Sequence, residues 1–109
     1  MPRLLLLPLA VLVTAAAVAL PAWAATPTVA LKDDFFAPKT LTIKRGQSVR
    51  FVWRGKSLHN IIASKSGRRV WSIGTQVKGS ATKRFATAGR YSLLCSIHAP
   101  GMKMTVVVR

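Results

Sequence analysis

The chain is 109 residues long, half of them hydrophobic, with 17 Lys and Arg against two acids and a formal charge of +15. Its single Cys excludes an internal disulfide, and one Cys with two His is too few for a full Cys/His structural zinc set. The basic excess speaks to solubility and to association with anionic partners rather than to fold.

The first 24 residues read as an export signal. Met1-Pro2-Arg3 supplies one positive charge, Leu4 to Leu20 is apolar apart from Thr14, and Ala22-Trp23-Ala24 is an A-x-A cleavage pattern. Cleavage after Ala24 leaves a single domain of residues 25–109. Retention would make the same run a membrane anchor, for which it is long enough, but Pro8, Pro21 and the A-x-A pattern favour cleavage. No Cys lies near the cleavage site, which excludes a lipoprotein anchor. The mature chain loses Arg3 and otherwise keeps its basic excess, with Asp33 and Asp34 as its acids. A domain of this size buries only somewhat over ~60% of its unfolded surface, so a bound metal would be a useful addition to its core.

Beyond the signal the apolar pattern has period two in short runs, which predicts strands. Thr28 to Lys32 is the first, and Asp33 to Pro38 reads as a turn-like break. Thr40 to Lys44 alternates cleanly, Arg45-Gly46-Gln47 is a turn, and Ser48 to Trp53 is a strong strand. Arg54 to Ser57 is a loop, and Leu58 to Ala63 is β-prone and carries His59. Residues 64–79 hold three glycines, four basic residues and Trp71. They read as a long irregular connection with one short strand near Val70 to Ile73. Ala81 to Ala86 is a strand with Lys83 and Arg84 facing outward, Ala88-Gly89 a turn, Arg90 to Cys95 the penultimate strand and Lys103 to Arg109 the last. No segment has a sustained helical period. The fold class is therefore all-β, an antiparallel sandwich, with Trp53, Phe51, Phe85 and Tyr91 filling its core and Trp71 either there or exposed.

The chemistry concentrates in Cys95-Ser96-Ile97-His98-Ala99-Pro100-Gly101-Met102, with His59 on a separate strand. An unpaired Cys in an exported protein invites intermolecular pairing or a special use, and metal ligation is such a use. A thiolate, two imidazoles and a thioether form the ligand set of a blue-copper site. Soft sulfur suits Cu(I) and imidazole suits Cu(II), so the mixture holds both oxidation states with little rearrangement. Each residue alone has a plainer reading: Cys95 as a small buried hydrophobe, His98 as an ordinary surface side chain, Met102 as core packing. Their conjunction in a β-rich exported chain is what points to copper. Met104, two residues beyond Met102, is a second candidate thioether, and loop closure favours Met102.

These segments resemble the cupredoxin family in its small plastocyanin/amicyanin-like branch. The likeness covers most of the mature chain: Asp34 to Pro38, Leu41-Thr42-Ile43 and Gly46, Val49-Arg50-Phe51, His59-Asn60-Ile61, Gly89 to Cys95, and Met102 to Val108. It implies a single Greek-key β-sandwich with one type 1 copper ion under the loops at one end. His59, Cys95, His98 and Met102 are the implied ligands. Asn60 falls at the position that steadies the ligand loop near the thiolate. Pro often follows the family's second His directly, whereas here Ala99 intervenes before Pro100. The implied function is one-electron shuttling outside the cytoplasm, periplasmic or extracellular, with the edge of His98 as the electron port and Ala99, Pro100 and Gly101 as small apolar surface around it.

The partners expected of such a monomeric basic protein are redox proteins, acidic ones among them, with an anionic cell-envelope polymer or lipid surface as a further possibility. Nucleic acid is excluded by export and by the lack of a binding module. A copper carrier or chaperone could use the same ligands and stays open as the alternative. A copper oxidase or nitrite reductase would need further His-rich centres, and both His are already assigned, so no enzymatic activity is expected. A secreted module without metal would leave Cys95 unexplained.

Overall fold

The computed structural model describes residues 25–109; the export signal expected at 1–24 lies outside the described residues. Nine strands follow in chain order: β1 (Thr28–Lys32), β2 (Phe35–Ala37), β3 (Thr40–Ile43), β4 (Ser48–Trp53), β5 (His59–Lys65), β6 (Arg68–Gln76), β7 (Gly79–Arg84), β8 (Gly89–Leu94) and β9 (Lys103–Val108). They form a four-stranded sheet, β2-β1-β4-β7, and a five-stranded sheet, β3-β9-β8-β5-β6.

The period-two runs explain the packing. Val29 and Leu31 of β1, with Val49, Phe51 and Trp53 of β4, point inward from one sheet. Ile61, Ala63, Leu93, Met104, Val106 and Val108 meet them from the other. Burying one such large side chain contributes about 1.5–3 kcal/mol. A one-residue slip of β4 or β9 would turn its whole apolar set to solvent, so the register is strongly fixed.

The structure differs from the sequence expectations at four places. Two pairings are parallel, β1 with β4 and β3 with β9, so the sandwich is mixed rather than antiparallel throughout. Parallel neighbours require crossovers between sheets, which local periodicity does not record. The Asp33 to Pro38 break contains β2, a short edge strand paired with β1. The segment expected to be irregular is a hairpin, in which β6 is the longest strand. Ser66 and Gly67 both have positive φ and make the two-residue turn that suits a hairpin. Because β6 is a sheet edge, most of its residues are exposed and its alternation is blunted. Finally, Lys83 does not face outward with Arg84, because consecutive strand residues point to opposite faces. Its ammonium lies 5.3 Å from the ring centre of Trp71. Trp71 itself is half-buried, packed between Phe51 and Phe85.

One end of the sandwich gathers the ends of β1, β4 and β8 with the starts of β5 and β9, as the registers Leu31–Trp53 and Leu94–Lys103 require. The Trp53 indole N–H donates to the His59 carbonyl across 2.9 Å and ties the two sheets together there.

Candidate metal centre

His59 opens β5 and shares its inner face with Ile61 and Ala63, so the strand's alternation buries its ring completely. Cys95 follows the last residue of β8 and is also fully buried. His98 stands on the loop three residues later, with a quarter of its side chain exposed. The loop is closed by its own backbone: the Cys95 N–H donates to the Met102 carbonyl at 3.0 Å, and the Met102 N–H donates to the His98 carbonyl at 3.2 Å. Met102 is fully buried at the foot of this loop, while Met104 lies on β9 among the core side chains.

Folding brings three of the expected donors into one triangle. The Nδ1 atoms of His59 and His98 are 3.2 Å apart, and Cys95 Sγ lies 3.9 Å and 3.7 Å from them. A point equidistant from the three atoms lies about 2.1 Å from each, close to the ~2.0–2.1 Å and ~2.3 Å that a first-row metal ion takes to nitrogen and sulfur. The triangle thus fits one metal ion without movement, and its mixed soft and nitrogen donors fit copper.

Asn60 is where the sequence suggested a steadying residue. Its Oδ1 accepts the backbone N–H of Ser96 at 2.8 Å, and its amide donates to Ser96 Oγ at 2.7 Å and Thr75 Oγ1 at 3.4 Å. The residue after Cys95 is thereby fixed to the strand that carries His59.

The two acids were not foreseen as part of this centre. Asp33 Oδ1 lies 3.1 Å from His59 Nε2, and Asp34 Oδ1 lies 3.1 Å from His98 Nε2. The Asp33 pair is a hydrogen bond, and a proton on His59 Nε2 leaves that ring's Nδ1 lone pair toward the triangle, whereas Asp34 stands at ion-pair distance from His98. Asp33 also accepts the backbone N–H groups of Lys56 and Ser57, at 2.8 and 3.0 Å. These two bonds, and then His59, hold its carboxyl at about 2, below the ordinary 3.8. Gly55 makes room for it: a Cβ there would run into the carboxylate. The one signal available beforehand was rarity, since these are the only acids in a very basic chain.

The cupredoxin-like domain family matches residues 4–108. The chain belongs to this family. Its cofactor is a single copper ion. No curated protein matches the chain. Among solved structures, a purple cupredoxin from Nitrosopumilus maritimus is similar with a TM-score of 0.67 and 21% identity, over 76% of this chain and 99% of that one. A mutant of amicyanin in its Cu(I) form gives a TM-score of 0.67 at 22% identity, over 77% of this cupredoxin and 82% of amicyanin. The copper-containing nitrite reductase of Thermus scotoductus SA-01 gives 0.65 at 23% identity, over 78% of this chain but 22% of the reductase. At these identities the likeness is one of fold.

Proposed function

We propose that this cupredoxin is an exported electron carrier whose copper would be held by His59, Cys95 and His98, with the Met102 thioether as a weaker fourth donor. The copper ion, when bound, takes up and gives back one electron. The observation that carries the reading is the preassembled triangle, with its sides of 3.2 to 3.9 Å and a carboxylate behind each ring. Donors held this firmly need little rearrangement between oxidation states, which is what fast electron transfer requires. Cys95 offers a soft thiolate in a dry setting, the two rings offer neutral nitrogen, and Met102 a buried thioether. Both His and the one Cys are used in this assignment, which leaves no donors for a separate catalytic centre of the His-rich kind.

The surface around His98 supports docking. Phe35, Leu58, Val77 and Ile97 are exposed, and each adjoins a residue of the centre or its strand partner: Asp34, His59, Gln76 and His98. Ala99, Pro100 and Gly101 are exposed beside them. Arg54, Lys56, Lys78 and Lys103 are exposed on the same loops and strand ends. An apolar centre with a basic rim suits brief contact with an acidic redox protein, with His98 as the group that partner touches.

The test is the visible spectrum of residues 25–109 loaded with Cu(II), beside a Cys95→Ser variant. An intense thiolate-to-copper band, lost in the variant and bleached reversibly by a mild reductant, is the expected result. Tight Cu(I) binding with no stable coloured Cu(II) form would overturn electron transfer in favour of copper carriage. No copper binding would overturn the ligand assignment.

A further inference from the structure

The two acid–histidine pairs at the metal centre are not equivalent. His59 is fully buried and its strand fixes it, while Asp33 has its own anchors in the Lys56 and Ser57 backbone. His98 stands on a loop, partly exposed, and no strand holds it. Asp34 is more than half exposed, and among the described residues its one polar contact is His98 Nε2. Nothing in the packing of the β1–β2 turn requires an acid at this position. A Ser or Asn would make the turn equally well.

We propose that Asp34 is a positioning residue for His98. Its carboxylate, 3.1 Å from Nε2, attracts the positive N–H edge of the exposed ring and stops the ring from swinging away from Cys95. The centre is therefore poised before metal arrives, and the ring that meets a partner stays in one place through the redox cycle. The inference rests on the reading of His98 as a ligand. It adds that the β1–β2 turn, remote in sequence from the ligand loop, governs how well that loop binds.

Four measurements on Asp34→Ala and Asp34→Asn test it. In the metal-free protein the His98 ring should give NMR contacts to Cys95, as a ring held in one place does. Those contacts should be lost in Asp34→Ala and partly return in Asp34→Asn, whose amide dipole keeps some of the attraction. Cu(II) affinity, measured by competition with a chelator, should fall about 10–100-fold in Asp34→Ala, the usual effect of losing a carboxylate behind a ligating histidine. The reduction potential should rise, because removing an anion beside a ligand disfavours the more highly charged Cu(II) form. The melting temperature of the metal-free protein should not move, since Asp34 is exposed and buries nothing. Unchanged His98–Cys95 contacts in Asp34→Ala overturn the proposal, as does native Cu(II) affinity in that variant. If the native protein binds no copper, the ligand reading fails, and the metal-free contacts still decide the role of Asp34.

Discussion

The backbone N–H of Cys95 donates to the carbonyl of Met102, so the loop between them begins and ends on a hydrogen bond of 3.0 Å. The ligand loop is a closed unit, and the side chain of Met102 is delivered to the core by the same turn that presents His98. Met102 and Met104 can be told apart on this basis. Met102→Leu keeps the apolar volume and should cost under about 1.5 kcal/mol. It removes a fourth donor, and the more highly charged Cu(II) loses more by that than Cu(I), which three donors already satisfy, so the reduction potential should rise. Met104→Leu should cost a similar amount and leave the potential unchanged. Voltammetry on the two variants checks this, and a shift with Met104→Leu alone would reverse the assignment.

Asn60 joins β5 to the residue after Cys95 by two hydrogen bonds. Asn60→Ala removes both and leaves the Ser96 N–H to solvent, at about 0.5–1.5 kcal/mol for each bond. The thermal midpoint of the metal-free protein should drop accordingly. The thiolate-to-copper band should also broaden, because Cys95 is no longer held at a fixed distance from His59. A band of unchanged width would limit Asn60 to a stabilising role.

Legibility in the sequence followed what is local. Ser48 to Trp53 and Lys103 to Val108 are rich in β-formers and bury every second residue, and both are strands within a residue of expectation. Cys95, His98 and Met102 stood out because their chemistry is scarce in this chain and their spacing is short. Asp33 and Asp34 did not, because they lie 26 and 64 residues from the histidines they hold and arrive there only through the parallel pairing of β1 with β4. A parallel pairing leaves no mark on either strand's own pattern. β6 was obscured for the opposite reason: as an exposed edge it has few apolar residues to alternate, and its glycine and two arginines imitate a loop.

Asp33 sets a pH dependence. Its folded carboxyl sits at about 2, below the ordinary 3.8, chiefly because the Lys56 and Ser57 backbone N–H groups favour the anion. A depressed carboxyl contributes stability that is fully present above the ordinary value and is lost as pH falls through the folded one. Denaturant unfolding of the metal-free protein should therefore weaken between about pH 4 and pH 2. Asp33→Asn should flatten that part of the curve. Gly55→Ala, which pushes a methyl into the carboxylate, should do the same without altering any charge. An acid limb identical in all three proteins would show that Asp33 contributes nothing to it.

Tyr91 separates structure from redox chemistry. Its ring packs edge-on against Phe85, centroids 5.1 Å apart, and lies under the Lys65 ammonium at 5.4 Å. Its hydroxyl donates to the Thr87 carbonyl at 2.7 Å, pinning the turn that leads into β8. Tyr91→Phe preserves both ring contacts and deletes that hydrogen bond alone. The Thr87 carbonyl is on an exposed residue, so water can replace the lost donor and the cost should stay at about 0.5–1.5 kcal/mol. Tyr91 is four residues before Cys95 on a strand whose register is fixed on both sides, by β5 and β9. The turn can therefore loosen without moving the thiolate. Thermal unfolding should record the loss, while the copper spectrum and the reduction potential stay at their native values. A shifted potential in Tyr91→Phe would mean that strain at the start of β8 is transmitted along the strand to Cys95.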